Sequence, residues 1–115
     1  MVTEDDVRKA ALSLPETNEK PSYGMPGFRV RTKGFARLHE EPGVLMLWCA
    51  DLSEKQALIA SDPEAFFTTP HYDGYSSVLV RLTEIDEDEL IDLLTSAWRS
   101  RAPKRLLDEF DSTPS

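Results

Sequence analysis

Two histidines, one cysteine and a run of arginines are the side chains of this sequence best suited to chemistry. His39, His71 and Cys49 could form a nucleophile–base pair only if folding brought the thiol against an imidazole. Cys49 ends an unbroken apolar run, Val44-Leu45-Met46-Leu47-Trp48-Cys49, and reads as a buried, inert thiol. His39 falls on the polar side of its segment and His71 in a Pro-flanked loop. No GxSxG, HExxH, P-loop or GxGxxG spacing occurs, so the protein is not expected to be an enzyme. Acids crowd at Glu4-Asp5-Asp6 and at Asp86-Glu87-Asp88-Glu89. Consecutive residues on a helix point around the cylinder rather than at one ion, and helix capping accounts for both runs. No metal or other cofactor is expected.

Binding chemistry is better represented. From Lys20 to His39 the chain carries Lys20, Arg29, Arg31, Lys33 and Arg37 and no acid. The whole sequence holds 13 Lys+Arg against 21 Asp+Glu, a net charge of −8. Arg29, Arg31, Lys33 and Arg37, with Phe35 among them, combine phosphate-seeking cations with an aromatic ring able to stack on a base. The C-terminal cluster Arg99, Arg101, Lys104 and Arg105 could extend that face. A plainer reading stands beside it: an uncovered sheet face must be polar, and arginine stems cover apolar neighbours while their heads stay wet or pair with carboxylates. The overall acidity opposes indiscriminate binding to nucleic acid or anionic lipid, so any nucleic-acid affinity should be weak and steeply salt-dependent. Pro70-His71-Tyr72-Asp73-Gly74-Tyr75, with Tyr23 and Met25, makes a second surface. Aromatics and Met are favoured at protein interfaces, so Tyr23, Met25, Tyr72 and Tyr75 are candidate contacts for a protein partner or a homodimer. They could equally roof the edge of the core.

The elements that would position these residues follow from periodicity. Thr3 caps a helix whose stripe is Val7, Ala10, Ala11 and Leu14, stopped by Pro15. From Glu19 to Trp48 the period becomes two and strands take over. A three-residue hairpin loop, Thr32-Lys33-Gly34, would put Gly34 in the left-handed position and pair Val30 with Ala36 and Arg29 with Arg37. One face then holds Phe28, Val30, Ala36 and Leu38; the other holds Arg29, Arg31, Phe35, Arg37 and His39. The apolar strand after Glu41-Pro42-Gly43 suits a central position covered on both faces, one of them by a neighbouring subunit. Ser53 caps a helix through Ser61, and Glu64-Ala65-Phe66-Phe67 forms one further turn. Ser77 to Leu82 is a strand. Asp86 begins a long helix with Leu90, Leu93, Leu94, Ala97 and Trp98 buried, and Pro103 starts a short last helix. Residues 111–115 are expected to fray. The sum is an α+β domain spanning 1–115, an antiparallel sheet with helices packed on one face and helices at both the N- and C-terminal ends.

A chain of 115 residues, 40% hydrophobic and 30% charged, can bury a core without disulfides or metal. One cysteine excludes an internal disulfide and is compatible with a reducing compartment. The acidic start lacks the regions of a signal peptide, and no apolar run approaches a membrane span, so a soluble cytoplasmic protein is expected.

Several stretches, taken in order, resemble the MmcQ/YjbR family of small bacterial proteins. They are Ala11-Leu12-Ser13-Leu14-Pro15-Glu16-Thr17, Gly24-Met25-Pro26-Gly27-Phe28-Arg29-Val30 and Phe35-Ala36. Asp62-Pro63-Glu64-Ala65-Phe66, Asp88-Glu89-Leu90-Ile91-Asp92-Leu93-Leu94, Ala97-Trp98-Arg99 and Ala102-Pro103-Lys104 follow. Gly74-Tyr75 stands where the family pattern has Gly-Trp. The resemblance implies a compact frataxin-like α+β fold related to a double-wing motif, and a DNA-binding role without assigned catalytic residues. On both lines the expectation is a non-enzymatic binding protein that meets DNA or another nucleic acid. A protein-interaction or self-association module is the alternative.

Overall fold

In the computed structural model, which describes residues 2–22 and 24–112, four helices and six strands form an α+β domain. Helix α1, Glu4–Leu12, starts in a capping box: Asp6 N–H donates to Thr3 Oγ1 at 3.2 Å and Thr3 N–H to the Asp6 carboxylate at 2.9 Å. Those bonds hold the Asp6 carboxyl below its ordinary range. The strands are β1 Thr17–Ser22, β2 Met25–Val30, β3 Lys33–Leu38, β4 Val44–Trp48, β5 Phe66–Phe67 and β6 Ser77–Arg81. They form one antiparallel sheet in the order β1-β2-β3-β4-β6-β5.

The β2–β3 hairpin corrects the expected register. Its loop is the two residues Arg31-Thr32, with Val30 opposite Lys33 and Arg29 opposite Gly34. Arg31, not Gly34, takes the left-handed conformation, at φ 56°. A bulge between Phe28 and Arg29 restores the alternation, so Phe28 faces Ala36 and Gly27 faces Arg37. Phe35 is the extra residue. A bulge lets two neighbours lean to the same side, and Phe35 joins Ala36 in the core under the helices instead of standing among the arginines. Arg29 and Arg37 are not cross-strand partners, which removes the like-charge pair the other register would have imposed.

Helix α3, Glu87–Arg101, is capped by Asp86 and lays Leu90, Leu94, Ala97 and Trp98 over β3 and β4, with α1 alongside. Trp98 is fully buried and its indole N–H donates to Pro15 O at 3.0 Å. Helix α4, Lys104–Ser112, turns Phe110 onto that indole at 4.9 Å between centroids. Asp111 and Ser112 are helical rather than frayed, and Asp111 is bound to Arg99 at 2.8 Å; residues 113–115 lie outside the described ones. Helix α2, Leu52–Ser61, is capped by Asp51 and not by Ser53. Phe66-Phe67 pairs with Val80-Leu79 as an edge strand in place of the expected helical turn.

Alternation along the strands gives the sheet two unlike faces. Phe28, Val30, Ala36, Leu38, Leu45, Leu47, Val78 and Val80 point to α1 and α3 and form the main core. Val44, Met46 and Leu79 point the other way and pack with Tyr72 in a smaller cluster, edged by Trp48 and Phe67. On that face this chain's own loop, residues 68–76, covers β4 through Tyr72. No helix among the described residues is long and apolar enough to cross a membrane.

Candidate binding site on the open sheet face

The loop 68–76 covers only the β4–β6 part of its face, and beyond it the sheet is open. Buried Lys55 of α2 holds the loop in place, its ammonium donating to the carbonyls of Tyr72 at 2.6 Å and Tyr75 at 2.9 Å. Tyr72 is thereby seated over the sheet, where its hydroxyl accepts from Arg37 Nη2 at 2.6 Å. Arg37 also donates to Glu40 Oε1 at 3.1 Å. A backbone hydrogen bond within Glu40, and then that arginine, keep the Glu40 carboxyl below its usual range. His39 stands on this open face as its alternation requires. Its Nδ1 accepts from Glu41 N–H at 3.1 Å, and Nε2 lies 3.6 Å from the second Glu40 oxygen. Tyr72 is flanked by His71, edge-on at 4.9 Å, and His39 at 6.0 Å.

These groups line a groove of about 770 Å³ that also includes Ser22, Met46, Trp48, Thr69, Tyr75 and Ser77. A groove of that volume is within the usual range for small-ligand sites, about 300–1,000 Å³. It continues through Ser22, Arg37, Met46 and Trp48 into a notch of about 210 Å³. Gly27 and Gly34 are among the residues lining the notch, so side chains are missing where the wall would otherwise rise. Gly27 has no latitude: a Cβ there would stand 2.9 Å from Lys20 O, so β1 would have to move. Lys20, Arg29, Arg37 and Arg101 line the notch with no carboxylate among them. Arg101 reaches around from the end of α3, donating to Gly34 O at 3.1 Å and lying over the Trp48 ring at 4.7 Å. Neither Lys20 nor Arg29 makes an ion pair or side-chain hydrogen bond among the described residues.

The expected basic face is thus divided. Arg29 and Arg37 lie on the open face together. Arg31 sits in the hairpin turn, bound to Glu16 at 2.8 and 3.3 Å, a pair that lowers the Glu16 carboxyl. Lys33 is exposed at the start of β3. Phe35 is fully buried and cannot stack on a base. Lys104 and Arg105 are exposed on α4, with Arg105 3.7 Å from Glu109, and neither lines the notch. Of the aromatic set, Tyr72 is buried as the loop's anchor, Tyr75 is 61% exposed beside the groove, and Met25 is half-buried against the main core. Tyr23 lies outside the described residues.

Trp48 and Lys55 were not singled out from the sequence. Trp48 carried a usable signal, being on the same strand face as Met46, opposite Arg37. Lys55 acts across the fold and carried none. Lys20 and Arg101 belonged to the expected basic set, and of its C-terminal members Arg101 alone lines the notch. Cys49 belongs to the helix-side core, away from both histidines, and burial pushes its thiol up to about 11.

Comparison with known proteins agrees with this architecture. Uncharacterized proteins of Mycobacterium bovis and Mycobacterium tuberculosis are each 36% identical over 124 residues, covering 96% of this chain and 96% of the relative. The crystal structure of a Deinococcus radiodurans protein of the DUF419 domain family superposes with a TM-score of 0.76 over 100% of this chain and 92% of that one. At 21% identity that likeness speaks for the fold alone. The YjbR family model matches residues 12–100, from the end of α1 to the last turn of α3, and the chain belongs to the YjbR family.

Proposed function

We propose that this is a non-enzymatic binding protein, working in the cytoplasm, whose open sheet face takes single-stranded nucleic acid. The observation that carries the reading is the notch, where Lys20 and Arg29 stand without ion-pair partners among the described residues, beside Arg101 and the half-buried Trp48 ring. Cations of this kind suit phosphate, and an aromatic at the same place suits an unstacked base. A base inside a duplex offers no ring face, so single strands should be preferred. The distance between the buried Cys49 thiol and the groove histidines, on opposite sides of the sheet, supports a role without nucleophilic catalysis.

Fluorescence anisotropy with labelled single- and double-stranded DNA and RNA tests the reading. Single strands should bind saturably, with an affinity that falls as salt rises. Lys20→Glu with Arg29→Glu should abolish binding while the thermal unfolding midpoint is kept. No binding of any strand even at low salt would overturn the proposal.

One observation favours a second reading, a protein-interaction or self-association surface: Tyr75 is 61% exposed beside an apolar groove. Sedimentation over a concentration series separates the two. A mass that rises with concentration and returns to monomer in Tyr75→Ser supports association, and a monomer throughout counts against the homodimer.

A further inference from the structure

The open face is electrically graded. Its notch end carries Lys20, Arg29 and Arg101 with no carboxylate in the lining, whereas Glu40 lines the groove end, already engaged by Arg37. A strand laid along the face would bring its second and third phosphates towards Glu40 and the surface of a protein of net charge −8. One phosphate fits the charge pattern and a series does not. The groove beside it offers what a neutral ring system needs. It is lined by the apolar Met46, by the rings of Trp48 and Tyr75, and by polar groups of Arg37, His39 and Tyr72. The two depressions are continuous, sharing Ser22, Arg37, Met46 and Trp48.

Resting on the reading of this face as a nucleic-acid site, we infer that it holds a single nucleoside phosphate monoester, the phosphate in the Lys20–Arg29–Arg101 notch and the base in the adjoining groove. That chemistry has two sources, a free nucleotide and the phosphorylated end of a strand. In neither case does the protein follow the backbone.

Calorimetric titration of the whole chain with adenosine monophosphate, adenosine and inorganic phosphate tests the site directly. Short oligonucleotides with and without a terminal phosphate, in two lengths, distinguish the sources. The nucleotide should bind about tenfold or more tighter than either adenosine or inorganic phosphate. A terminal phosphate should strengthen oligonucleotide binding by about the same factor, and added length should contribute little. Arg29→Glu should abolish nucleotide binding, whereas Arg105→Glu, far from the notch on exposed α4, should leave it unchanged. Nucleotide binding without binding of any oligonucleotide would keep the inference and overturn the nucleic-acid reading. Oligonucleotide affinity that grows with length and ignores the terminal phosphate would overturn the inference and keep the reading. Silence from every ligand would overturn both.

Discussion

The two faces of the sheet are built from the same strands and differ in what covers them. On the helix side, α1 and α3 seal a continuous apolar layer centred on Leu45, Leu47, Val78 and Trp98, and polar groups there are few and satisfied. On the other side a single loop covers the middle with Tyr72, and the flank over β1–β3 is left to cations and a groove. Stability resides on the first side, because packed apolar area there is complete. Chemistry is free to reside on the second, because a cation such as Arg29, with no ion pair among the described residues, contributes little to the fold. Period-two alternation is what allows one strand to serve both: in β4, Leu45 and Leu47 belong to the core while Met46 and Trp48 line the groove.

The sharpest way to break this comparison is to truncate a matching large side chain on each face. Trp98→Ala removes a fully buried ring and the shorter of the two hydrogen bonds to Pro15 O, leaving the one from Thr17 Oγ1, so unfolding free energy in urea should fall by about 3–5 kcal/mol. Met46→Ala, under the loop, should lie near the low end of the range for such truncations, about 2 kcal/mol, because the loop can settle into the space. Equal losses would mean that the open face is as much a part of the core as the helix side.

The loop itself gives a smaller effect. Lys55→Met removes a buried ammonium from the carbonyls of Tyr72, which keeps the Tyr75 N–H, and of Tyr75, and an unpaired buried acceptor costs about 1–3 kcal/mol. The loss should be local. Amide exchange at Tyr72, Asp73 and Tyr75, whose N–H groups bond within the loop, should accelerate, while α3 amides should not. Uniform acceleration would show that the loop and the helix side open as one unit.

Much of this arrangement was legible in the sequence, and where it was not the partner lies far along the chain. The capped starts of α1 and α3, the buried stripe of α3 and the inward set Phe28, Val30, Ala36 and Leu38 follow from local pattern. The hairpin does not. Gly34 looked like the left-handed residue, yet Arg31 takes that conformation because Glu16 holds it from outside the hairpin. Arg31 N–H donates to Glu16 O at 3.0 Å, and the two side chains form a two-pronged ion pair. Glu16 is itself left-handed, at φ 52°. Contacts across the sheet thus offset a conformation that costs an ordinary residue roughly 1–2 kcal/mol. The same limit applies to the site. Arg29 and Arg37 were visible as a pair and Arg101 as one of four C-terminal cations, but which of the four reaches the notch depends on a contact with Gly34, 67 residues earlier, that no local pattern encodes.

Acid should separate surface from core without touching the notch. Asp6, Glu16, Glu40 and Asp111 all have carboxyls held below their ordinary values, by Thr3, Arg31, a backbone bond with Arg37, and Arg99 respectively. A depressed folded pKa stabilises the native state above the unfolded value, so this contribution is complete above about pH 4.5 and is lost as pH falls through the lowered values. The urea midpoint should therefore be flat from neutral pH to that point and fall below it. Glu16→Gln should shrink the fall slightly, since these pairs are exposed and each contributes little. A fall that begins near neutral pH would overturn the assignment to these four carboxyls.

The smallest stability effect is expected at Arg29, and it is the most informative about the open face. The side chain has no ion pair or side-chain hydrogen bond among the described residues and shares the notch with Lys20, Arg37 and Arg101. Arg29→Ala should change unfolding free energy by no more than about 0.5 kcal/mol, in either direction, because relief of like-charge repulsion offsets the lost stem contacts. The same variant should lose most of its anion affinity. Arg31→Ala is its control within one strand and turn: it gives up the Glu16 pair and with it the support for the left-handed turn, so it should be the more destabilising of the two while leaving the notch cations in place. If Arg29→Ala proved the more damaging to the fold, the cation would be structural, and the division of labour between the two faces would fail at the position that defines it.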